Sequence, residues 1–122
     1  MKIAIPVENK SQDPNVCPLF GRAPYFLIYD TETSEASFLD NSAAASQGGA
    51  GIKAAQAVID QGAETLLTPR CGQNAAEVFK AAGIKIYKTQ GDSSRANIKA
   101  FDAGELSSLE DIHPGFHGSG GR

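Results

Sequence analysis

Phe20-Gly21-Arg22-Ala23-Pro24-Tyr25-Phe26-Leu27-Ile28-Tyr29-Asp30-Thr31-Glu32-Thr33-Ser34-Glu35-Ala36-Ser37-Phe38-Leu39 is the stretch from which the fold is read. Tyr25 to Tyr29 is a β-rich apolar run. Asp30-Thr31-Glu32-Thr33-Ser34 supplies turn chemistry, and Ala36 to Leu39 returns as a strand. Two such runs around turn residues predict an antiparallel hairpin. Gly21 and Pro24 punctuate the approach, which leaves Arg22 in a turn at the hairpin's mouth.

Upstream, Ile3, Ile5 and Val7 alternate with Ala4 and Pro6 and predict a first strand. Pro6 has no N–H for a ladder, so it belongs at a bulge or at the strand end. Residues 9–19 carry Asn, Ser, Asp and Pro and form a loop. Downstream the period changes. Ile52, Ala55, Val58 and Ile59 mark one face of a helix that begins at Gly51 and closes at Gly62. Thr65 to Thr68 is a buried strand ended by Pro69. Asn74 to Ala82 is a second helix with Ala75, Val78, Phe79 and Ala82 inward, closed by Gly83. Ile84 to Lys88 is a strand, and Asp92 or Ser93 caps a third helix that closes at Gly104.

The order is β-β-β-α-β-α-β-α, an α/β fold with a mixed five-stranded sheet and flanking helices. The hairpin sets strand two antiparallel to strands one and three. Each helical crossover restores the previous direction and is right-handed. Strands one, three, four and five then end on one edge, where the loops at 8–24, 40–51, 68–73 and 88–93 gather. That carboxyl edge is where open α/β sheets bind ligands.

A chain of 122 residues is read as one domain, with the fold over 1–105 and a Gly-rich, mobile tail over 106–122. With 41% hydrophobic and 20% charged residues it is globular rather than disordered. A formal charge of −3 with scattered Lys and Arg argues against a nucleic-acid partner. No apolar run is long enough to span a membrane, and the first residues make no signal peptide, so a cytoplasmic location is expected. Cys17 and Cys71 are then read as free thiols.

Three turns at the shared edge carry chemistry. Gly48-Gly49-Ala50-Gly51 lets backbone N–H groups approach a ligand, and the following helix adds positive potential. No Gly-Lys-Ser/Thr follows it, so it is not a P-loop. Arg70-Cys71-Gly72 opens the second helix, where a thiol is expected to have a lowered pKa and serve as a soft ligand beside a permanent cation. Arg22 adds a second cation, and Cys17 is a further thiol. His113 and His117 are separated by Pro114 and Gly115, which argues against a helix-face metal pair. Neither a Ser-His-Asp arrangement nor a carboxylate cluster is present, so no catalytic residues are expected and the chain is read as a non-enzyme.

Phe20-Gly21-Arg22-Ala23-Pro24, Gly49-Ala50-Gly51-Ile52-Lys53-Ala54-Ala55, Cys71-Gly72-Gln73-Asn74-Ala75 and Ala82-Gly83-Ile84-Lys85-Ile86-Tyr87 together resemble the dinitrogenase iron–molybdenum cofactor biosynthesis family. That family includes NifX- and NifY-type carriers, the C-terminal part of NifB-type proteins, and small stand-alone members, which include the orange-protein type; the bare domain looks more like these stand-alone members than like a dedicated nitrogenase carrier. Where members often carry a His ahead of the first motif, this chain has Cys17-Pro18-Leu19. The resemblance implies a ribonuclease H-like fold without nuclease activity. It also implies non-catalytic binding of an iron–molybdenum–sulfur or molybdenum–copper–sulfur cluster, with a donor or acceptor protein as partner. On that reading Arg22 and Arg70 offset the cluster's charge. Amides of Gly48, Gly49, Gly51 and Gly72 meet its sulfides, and Cys71, then Cys17, supplies a metal–sulfur bond. The alternative of another class is a thiol-based redox-sensing or docking module that uses Cys71.

Overall fold

The computed structural model describes residues 1–41 and 50–109. Five strands and three helices follow in the expected order. They are β1 (Lys2–Val7), β2 (Tyr25–Asp30), β3 (Ala36–Asp40), α1 (Ala50–Asp60), β4 (Ala63–Thr68), α2 (Gln73–Ala81), β5 (Lys85–Lys88) and α3 (Ser94–Asp102), with one short 3-10 turn, Phe20–Arg22, ahead of β2. The sheet order is β3-β2-β1-β4-β5. β2 is antiparallel to both β1 and β3, while β1, β4 and β5 are parallel. The directions read from the hairpin and the crossovers are therefore present.

β1 is central and covered on both faces, so it reads as a near-continuous apolar run. Ile3, Ile5 and Val7 join Leu27, Leu67 and Leu106 on one face, where Ile98 and Phe101 of α3 pack. Ala4 faces the other way, with Phe26, Leu66 and the buried residues of α1 and α2. The molecule thus has three layers. Pro6 sits one residue before the strand end. Its carbonyl accepts the Cys17 N–H at 2.8 Å, so its missing N–H lies on the side where pairing with β4 has stopped after Ala4.

Helix phase departs from the expectation in two places. Ile52 is 43% exposed, and Ala54 is buried in its stead. The inward stripe is Gly51, Ala54, Ala55 and Val58, a spacing of three, four and seven; Ala55 and Val58 are inward as expected and Ile59 packs at the margin, so the stripe is turned toward Gly51 and Ala54 and away from Ile52. In α2, Ala75, Ala76 and Phe79 are buried, but Ala82 lies past the helix end and is exposed. Gly62, Gly83 and Gly104 have φ of +86°, +78° and +76°, as closing residues should.

Past residue 105 the chain still contacts the sheet. Lys88 N–H donates to Ser107 at 2.8 Å, and Leu109 N–H donates to Ile86 at 2.9 Å. Leu106 and Leu109 are buried. The chain therefore stays on β5 through Leu109, held by a bridge with no periodic signature of its own. The rest of the expected tail, with His113 and His117, lies outside the described residues.

The loop after β1 is tied to the start of α3. Ser93 caps that helix by accepting the Ala96 N–H at 3.0 Å, and the Asp13 carboxylate accepts from Ser93 Oγ at 2.8 Å and Arg95 N–H at 3.0 Å. The Arg95 amide, then Ser93, holds the Asp13 carboxyl below its ordinary value of 3.8. The sign follows from that depression. The Asp13 contribution is complete above the ordinary value and is lost as pH falls through the lowered one. Asp13→Asn is expected to lower stability at neutral pH, with the gap to wild type closing in acid; urea melts at pH 7 and pH 3 check this. A gap independent of pH would contradict it. On α3 itself, Asn97 is buried and matched on every side. Its Oδ1 accepts the Gln90 N–H at 2.7 Å, and its Nδ2 donates to Gln90 and Ser93 carbonyls at 3.0 and 2.8 Å.

Candidate functional site

Phe20 is 2% exposed and wedges between Phe26 and Phe79, with ring centroids 5.0 and 5.3 Å away. That anchor fixes the turn that follows. Arg22 N–H donates to Leu19 at 3.1 Å, closing the turn and leaving the Arg22 side chain exposed. Gly21 then lies directly on α1. A Cβ built on it would stand 3.2 Å from the Gly51 Cα and 3.4 Å from the Gly51 N, both backbone atoms that cannot step aside. A Cβ on Gly51 would in turn meet the Ala75 Cβ at 3.6 Å.

These contacts join three segments at one point: the 3-10 turn, the first turn of α1 and the first turn of α2. They also explain the helix phase, since the close approach of Gly21 requires Gly51, not Ile52, to face inward. The two helices end their N-termini side by side at the carboxyl edge of the sheet. Neither has an acidic residue in its first turn, so their positive potential is not offset from within the helix. α2 starts from Gly72, which is exposed and, among the described residues, has no capping side chain and nothing within 4 Å of where a Cβ would be. The preceding turn is set by Thr68, fully buried, whose Oγ1 donates to the Arg70 carbonyl at 3.0 Å and whose own carbonyl accepts from Thr89 N–H at 3.3 Å. Arg70 is exposed beside it.

The structure therefore brings Arg22, Gly51 and Gly72 to one edge, with Arg70 on the turn that leads to Gly72. Gly48 and Gly49 lie outside the described residues. The expected activated thiol is corrected. Cys71 precedes the helix cap and is 1% exposed within the core that contains Phe20, Ala54 and Phe79. Burial pushes its thiol up to about 11 from 9.0. A helix end lowers a thiol pKa when the sulfur is solvated in front of it; here the core closes over the sulfur and desolvation wins. Cys17 is raised too, chiefly by burial, and its Sγ donates to the Leu19 carbonyl at 3.5 Å. Among the described residues no group of three or more His, Cys, Asp or Glu is placed to hold a metal ion. Cys71 at pH 8 should accordingly react with iodoacetamide about a hundredfold or more slowly than a free thiol, and at the free rate in 6 M guanidinium. Equal native and denatured rates would contradict the burial.

Sequence reading missed two supports of this edge. One is Phe20 as the anchor of the turn, for which the only local signal is an aromatic residue ahead of Gly-Arg. The other is Asn41, which donates from its backbone to Pro24 at 3.0 Å and from Nδ2 to the Ala23 carbonyl at 2.7 Å. A lone Asn after a strand carries no pattern that announces this.

The family model described as dinitrogenase iron-molybdenum cofactor matches residues 1–104. A relative from Methanocaldococcus jannaschii, named only as an uncharacterized protein, is 32% identical and covers 90% of this chain and 92% of its own. The apo form of the orange protein from Desulfovibrio gigas superposes with a TM-score of 0.85 at 35% identity, over 89% of this chain and 92% of that one. A Thermotoga protein described as NifB-like superposes at 0.81 with 36% identity, over 98% of each chain.

Proposed function

This chain belongs to the dinitrogenase iron-molybdenum cofactor family, and on that premise we propose that it is a non-catalytic carrier. Its cargo is an anionic molybdenum-containing metal–sulfur cluster, iron–molybdenum–sulfur or molybdenum–copper–sulfur, held at the carboxyl edge of the sheet. The observation that carries the reading is the convergence of the Gly21 and Gly51 backbones, with Gly51 facing the Ala75 Cβ. It sets two helix N-termini next to each other and puts Arg22 and the Arg70 turn around them. Backbone N–H donors, helix ends and guanidinium groups are what a multiply charged sulfide anion needs. Charge recognition falls to Arg22, Arg70 and the amides near Gly51 and Gly72. Cys71 and Cys17, protonated and buried, serve the floor beneath rather than a metal–sulfur bond. The alternative of a Cys71 switch finds no support in a thiol that is both covered and raised.

A carrier must receive and release its cargo, so a cluster donor or acceptor protein is part of this reading. The test is uptake by the apo-protein under anaerobic conditions. Tetrathiomolybdate is added alone, with cuprous ion, or with ferrous ion and sulfide, followed by gel filtration, visible absorption and metal analysis. Molybdenum is expected to elute with the protein, and the accompanying metal identifies the cluster. A protein that retains none of the three would overturn the carrier reading.

A further inference from the structure

Asn41 is the first residue after β3 and is 6% exposed. The 2.7 Å bond from Nδ2 to the Ala23 carbonyl fixes which way its carboxamide is turned. Among the described residues, its Oδ1 is the buried side-chain polar atom that has no hydrogen-bond partner. The contrast with Asn97, equally buried and fully matched, shows that the fold can satisfy a buried carboxamide when it needs one. A buried acceptor without a donor costs stability, and interiors keep such an atom where something else supplies the donor. Asn41 grips Ala23 and Pro24, the two residues that follow Arg22 in the chain.

A terminal sulfide is itself an acceptor and would not meet Oδ1 directly. A water molecule, with two protons, joins two acceptors. We propose that Asn41 is a positioning residue of the cluster site. Its Nδ2 holds the Ala23 carbonyl and with it the Arg22 turn, while its Oδ1 holds a water that donates its second proton to the bound anion. This rests on the carrier reading above.

The test compares wild type, Asn41→Leu and Asn41→Asp in two measurements: the melting temperature of the apo-protein and anaerobic titration with tetrathiomolybdate. Leucine replaces both polar atoms with apolar groups of similar shape, which removes the orphaned acceptor together with its neighbour. Leucine also leaves the buried Ala23 carbonyl without its donor, so apo Asn41→Leu should melt several degrees below wild type while remaining folded, and at a temperature where both are folded it should bind tetrathiomolybdate about tenfold more weakly, the size of one lost hydrogen bond. Asn41→Asp keeps the acceptor but sets a second one against the Ala23 carbonyl and adds charge, so its apo melting temperature and its affinity should both fall. Wild-type affinity in Asn41→Leu would overturn the inference while leaving the carrier reading intact. An Asn41→Leu affinity that falls no further than its folded fraction explains would also overturn it, because a plain structural clamp then suffices. Wild type that binds no tetrathiomolybdate would sink the carrier reading, and this inference with it.

Discussion

Replacing Arg22 and Arg70 together by alanine is expected to lower affinity for the cluster by about a hundredfold, while the melting temperature changes by only a few degrees. Both side chains are exposed, so their removal leaves no buried cavity. A hydrogen bond to a charged partner is worth about 1.5–3 kcal/mol, or roughly a tenfold change for each residue. The two losses should add if each guanidinium meets a different part of the anion. Anaerobic titration of both single variants and the double variant, read by visible absorption, gives the cycle. Double-variant affinity equal to wild type would remove the electrostatic basis of the site.

Phe20→Ala should produce the largest loss of stability. The ring is 2% exposed and contacts both Phe26 and Phe79, so truncation removes transfer free energy and leaves a cavity. Such changes cost about 3–5 kcal/mol, against a total of about 5–15 kcal/mol for a domain. Phe20→Leu, which fills much of the space, should cost far less. The variant should also bind cluster more weakly than its folded fraction explains, because Phe20 is what presses Gly21 onto Gly51. Urea melts of both variants, with uptake measured well below the melting temperature, separate the two effects. A Phe20→Ala loss under about 1 kcal/mol would mean that the turn is held by something else.

The sheet was legible because its evidence is local and directional. Tyr25 to Leu39 has turn residues between two β-rich runs, and a hairpin followed by crossovers leaves few topologies. Gly62, Gly83 and Gly104 were legible for the same kind of reason: each closes an element and takes a positive φ. The phase of α1 was not. The expected and observed stripes share Ala55 and Val58 and differ by less than one residue's turn of the helix, and that rotation is decided by Gly21 lying against Gly51 across thirty residues of chain. Cys71 failed more instructively. The motif Arg70-Cys71-Gly72 correctly announces a helix entrance, but it says nothing of the core that covers the sulfur, and coverage outweighs the helix end. Asp13 on α3 and Ser107 on β5 are likewise long-range pairings, with no period in the sequence to mark them.

The central claim is one of place: the anion sits where the 3-10 turn meets the N-termini of α1 and α2. Amide chemical shifts of the isotopically labelled apo-protein, recorded during anaerobic addition of tetrathiomolybdate, report that place residue by residue. The account predicts the largest shifts at Gly21, Arg22 and Ala23, at Gly51 and Ile52, and at Gly72, Gln73 and Asn74. It predicts little change at the opposite edge, where a depression of about 410 Å³ is lined by Ile59, Ala63, Gly83 and Ile84. Shifts centred on that depression, with Gly21, Gly51 and Gly72 unmoved, would contradict it.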